Sequence, residues 1–93
     1  MEFKIPPNYQ IAGVKHDVQI KKGLGANDMR RGASSYFDRV CQIDADLVEC
    51  EKRRAFIHEV LHHIDDIFDT RLKETHIKRL AIGINELIQQ LEE

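Results

Sequence analysis

Apolar residues at 56, 57, 60, 61, 64, 67 and 68 recur at intervals of three and four between Ala55 and Phe68. That spacing lays one apolar stripe along a helix, and it predicts a helix from about Glu49–Glu51 to Phe68. Acidic residues at its start suit the positive end of the helix dipole. A second stripe follows in Ile77, Leu80, Ala81, Ile84, Leu87, Ile88 and Leu91. It predicts a helix over roughly 72–91, with Asp69-Thr70 as the break and either residue as its cap. Gly83, inside that helix, costs about 1 kcal/mol relative to alanine. Close approach of the two helices is the expected reason for it.

Upstream the period changes. Pro6-Pro7 forbids a helix over the first eight residues. Ile11, Val14, Val18 and Ile20 lie among polar residues, with alternation in His16-Asp17-Val18-Gln19-Ile20. This predicts two short strands with a turn near Gly13, and His16 as an exposed strand residue. Residues 21–32, with Gly23, Gly25, Asn27-Asp28 and Gly32, read as a solvated surface loop, with a basic rim of Lys21, Lys22, Arg30 and Arg31 as the alternative. Ala33–Tyr36 and Arg39–Ile43 read as a hairpin turning at Phe37-Asp38. Asp44–Glu49 is a polar loop with Leu47 and Val48 tucked inward. The expectation is a single α+β domain over 1–93: a small, mostly antiparallel sheet, then two packed helices.

Composition narrows the partners. The formal net charge is −2, with both signs interspersed. That balance favours neither nucleic acid nor an anionic membrane. No apolar run approaches the length of a membrane span, and the first residues lack the apolar core of a signal peptide. The expected compartment is the cytoplasm, where Cys41 and Cys50 stay separate thiols.

The first helix carries chemistry as well as a stripe. His58-Glu59-Val60-Leu61-His62 is an H-E-x-x-H pattern. Residues four apart share a helix face, so His58 and His62 can put two imidazoles on one zinc ion. Glu59, one step round the turn, can reach water there as a general base. A catalytic zinc takes a third protein ligand. Going back three residues from Ile77 continues the stripe to Glu74, the first choice; His76, about 200° from it around the helix, is the alternative. His63 points off the His58–His62 face and is a candidate for substrate contact. Asp65 or Asp66 is a candidate to accept the second N–H of His62 and fix its tautomer.

His58-Glu59-x-x-His62 followed by Glu74-Thr75-His76-Ile77-Lys78-Arg79-Leu80-Ala81 resembles the gluzincin metallopeptidases. The similarity is to their smallest members, the minigluzincins and the compact prophage-type, ImmA/IrrE-like proteins, and it covers roughly residues 33–91. It implies His58, His62 and Glu74 as zinc ligands and Glu59 as general base. It also implies that the hairpin edge, with Tyr36 near it, pairs with an extended peptide substrate. Two departures stand out: Lys78 replaces the family's Asp or Asn, and only eleven residues separate His62 from Glu74. The family's Tyr or His for the oxyanion has His63, His76 and Tyr36 as candidates. The leading expectation is a zinc metallopeptidase acting on a protein or peptide. The alternative is a catalytically degenerate, metal-stabilised protein-binding module. A third reading is a metal-free domain that self-associates through its second helix.

Overall fold

The structure, a computed structural model, describes residues 4–22, 32–35 and 39–92. Most of the loop expected over 21–32, the turn expected at Phe37-Asp38 and Tyr36 lie outside the described residues. Four strands come first: β1 (Asn8–Ile11), β2 (Val14–Lys21), β3 (Gly32–Ser35) and β4 (Val40–Asp44). Two helices follow, α1 (Glu49–Phe68) and α2 (Glu74–Leu91). The result is a small α+β fold.

β1 and β2 form the expected hairpin, with Ile11 opposite Val14 and a two-residue turn of Ala12-Gly13. Both turn residues have positive φ, 51° and 78°. That is the turn whose twist matches paired strands, and glycine takes the second position without strain. β3 and β4 pair antiparallel as expected, Ser35 opposite Val40. The order in the sheet is β1-β2-β4-β3. Its centre is therefore a parallel pair, β2 with β4, placing Val18 beside Cys41 and Ile20 beside Ile43. Two of the three pairings are antiparallel, but no local pattern announces the parallel one.

The core lies between the sheet and α1. Cys41 and Ile43 of β4 meet Ala55 and Phe56 of α1, with Ile5, Tyr9, Val18, Leu47 and Val60 packed around them. Val48, expected inside, is exposed, and so is Phe68 at the end of α1. Both stand at the ends of α1.

α2 packs on α1 through Ile77, Ala81 and Asn85, all buried. Asn85 belongs to no apolar pattern. Its Oδ1 accepts a hydrogen bond from Nε of the buried Arg53 at 2.6 Å, and Arg53 also pairs with Glu92 at 2.6 Å. A buried guanidinium is tolerated only with such partners. Leu80, Leu87 and Leu91, expected in the core, are exposed. The stripe of α2 is wider than the face α1 covers. Gly83 makes no close approach either, since the space where a side chain would begin is open.

Candidate metal centre

His58 and His62 sit one turn apart on α1, their rings 4.9 Å apart and tilted by 58°. Their Nε2 atoms face each other at 3.2 Å. The chain then leaves α1 through Asp69, whose φ and ψ of 50° form a left-handed cap. Thr70 does not cap α2; its hydroxyl donates to Oδ1 of Asp65. The same oxygen accepts the Leu72 N–H at 2.9 Å. α2 therefore starts at Glu74, after Lys73, and its first side chain turns back toward α1. Glu74 Oε1 lies 2.8 Å from Nε2 of His58, and Oε2 lies 3.0 Å from Nε2 of His62.

Two imidazole nitrogens and a carboxylate thus converge on one point. Two zinc–ligand bonds of about 2.1 Å at a tetrahedral angle span roughly 3.4 Å. The separations of 2.8 to 3.2 Å are a little tighter than that. Two neutral imidazoles facing each other through acceptor nitrogens repel unless a proton or a cation lies between them. The donor set fits a borderline divalent ion.

Glu59 completes the group. It is buried at 6 % exposure. His58, Glu59 and His62 each offer a ligand atom within 4.8 Å of the others, so this group could hold a metal ion. Glu59 also faces the interior: its negative charge adds to burial in pushing the Cys41 thiol up to about 12. Burial, helped by Cys41 and Glu59, likewise holds the Tyr9 phenol well above its ordinary range.

Other expected site residues lie elsewhere. His63 is 1 % exposed and cannot touch a substrate. Its Nδ1 meets the Tyr9 hydroxyl at 2.5 Å, and its ring lies 4.4 Å from that of His16. His16, expected on the surface, is itself buried and stacks on Tyr9 with an interplanar angle of 2°. The signal was present in the strand period: His16 shares parity with Val14, Val18 and Ile20, so it shares their face. His76 is exposed, and its Nδ1 accepts the Lys73 N–H at 3.4 Å, capping α2 rather than joining His58 and His62. The hydrogen bonds of Asp65 run to the linker and not to His62. Asp66 is exposed.

Among the described residues, no helix is long and apolar enough to cross a membrane. Comparison with models of protein families, with curated proteins and with solved structures finds no match in any of the three.

Proposed function

We propose that the chain is a zinc-dependent metallopeptidase of minimal design, acting in the cytoplasm on a protein or peptide segment. The observation that supports this reading best is the contact of Glu74 with both imidazole Nε2 atoms. His58, His62 and Glu74 would hold the ion. Zinc, when bound, supplies a Lewis acid for a carbonyl oxygen and lowers the pKa of water. Glu59 accepts the proton of the attacking water at its carboxylate and returns it to the leaving amine nitrogen. His58 and His62 would act as ligands through Nε2, the atoms that face each other and the Glu74 carboxylate.

The second reading is a metal-stabilised binding module without turnover. One observation favours it. His63 and His76, candidates for stabilising an oxyanion, are engaged elsewhere, in the core and in the cap of α2. Peptidase assays on the zinc-loaded protein and on Glu59→Gln separate the two. Hydrolysis lost in Glu59→Gln, with zinc still bound at one equivalent, supports the enzyme. Zinc bound by both with no hydrolysis by either supports the module. No zinc bound by the wild type removes both.

A further inference from the structure

The outer flank of α2 carries more apolar surface than the fold uses. Leu80 is 42 % exposed, Leu87 55 % and Leu91 69 %. Leu80, Gly83, Ile84 and Leu87 line one shallow groove with Arg79 at its border. Leu80, Gly83 and Leu87 follow each other at spacings of three and four, the seam of a helix pair, with Ile84 and Leu91 one step round the helix from it. Gly83 lies in the middle of that seam with open space beside it. Glycine is disfavoured in a helix interior, and no contact of the monomer calls for it here.

The arrangement is self-complementary about Gly83. Leu80 precedes it by three residues and Leu87 follows by four. Arg79 precedes it by four, and Glu86 follows by three. A two-fold axis beside Gly83 thus exchanges Leu80 with Leu87, and Arg79 with Glu86, each within one residue or about 1.5 Å. Antiparallel pairing would set each Arg79 against a Glu86, and opposite charges at that border choose this partner and orientation. The charge on the rest of the helix agrees. The first half carries the cations Lys73, Lys78 and Arg79 against one acid, Glu74, whereas the second half has Glu86 and Glu92 and no cation. An anionic membrane would meet that acidic half unfavourably.

We propose that this face of α2 packs antiparallel against the same face of a second copy of the chain, with the two Gly83 backbones near the crossing. The pairing is independent of the metal-centre reading. One helix face a side stands at the small end of interface sizes, so a reversible dimer is expected.

Sedimentation of the full chain from roughly 1 μM to 1 mM tests it. The wild type is expected to pass reversibly from monomer to dimer, and Leu87→Lys to remain monomeric. Arg79→Glu and Glu86→Arg each act twice in a symmetric pair, and each weakens association about tenfold or more. All three changes are at exposed positions; circular dichroism confirms the fold before each run. Mixing Arg79→Glu with Glu86→Arg restores dimers, because each chain then offers the charge that the other lacks. A wild type that stays monomeric throughout overturns the proposal. So does a dimer indifferent to Leu87→Lys, or a mixture that associates no better than either variant alone.

Discussion

Asp65 Oδ1 accepts the backbone N–H of Leu72 at 2.9 Å, tying the last turn of α1 to the chain just ahead of Glu74. The linker between them is not relaxed: Asp69 and Arg71 both take left-handed backbone conformations, φ 50° and 57°. The Asp65 carboxylate, holding Thr70 and Leu72 together, sets where α2 begins and so where Glu74 points. Asp65→Ala is expected to weaken zinc binding about tenfold, the usual scale for removing a group that orients a ligand. Asp65→Asn, which keeps one acceptor oxygen, should recover part of the loss. Competition titration with a chelating dye measures both.

The same carboxylate gives a pH dependence. The Thr70 hydroxyl, and then the Leu72 N–H, hold the Asp65 pKa below the ordinary carboxylate range. A lowered folded-state pKa contributes stability that is complete above the unfolded value of about 3.9 and is lost as pH falls through the folded value. Urea midpoints of wild type and Asp65→Ala should therefore differ at neutral pH and draw together below about pH 4. A gap that persists unchanged in strong acid would contradict this account.

Metal should stabilise the fold, because the ligands come from two helices that separate on unfolding. Zinc at a hundred times its dissociation constant adds about 2.7 kcal/mol, read as a rise in melting temperature that a chelator reverses. Glu74→Gln should blunt the rise, and His58→Ala should abolish it. His76→Ala should leave it nearly intact, since His76 caps α2 instead.

Tyr9→Phe tests the interior. The change removes the hydroxyl that meets Nδ1 of the buried His63. Depriving a buried polar group of such a bond costs about 1–3 kcal/mol. Chemical denaturation should show that loss with little change in zinc affinity.

The two cysteines should react very differently. Both are free thiols, Cys41 buried and Cys50 exposed. Burial and the charge of Glu59 keep Cys41 protonated, its pKa pushed up to about 12. Only the thiolate is the nucleophile. An alkylating reagent at neutral pH should label Cys50 quickly and Cys41 only on unfolding, as peptide mass analysis of timed samples would show.

What the sequence determined by itself is what depends on near neighbours along the chain. The period of 3.6 set the two helices, and Gly13 marked a turn that needs positive φ. The four-residue step from His58 to His62 put two imidazoles on one face. Glu74 could be chosen over His76 because it continued the stripe of Ile77 and Ala81. Tertiary structure decided the rest. The parallel pairing of β2 with β4 joins segments with no local signature. The burial of His16 and His63 depends on which face of the sheet α1 covers. Asn85 was taken inside because Arg53 needed a partner there, while Leu80 and Leu87 stayed outside because α1 is too narrow to cover the whole stripe. Periodicity says which residues share a side; only the neighbouring element decides how much of that side leaves water.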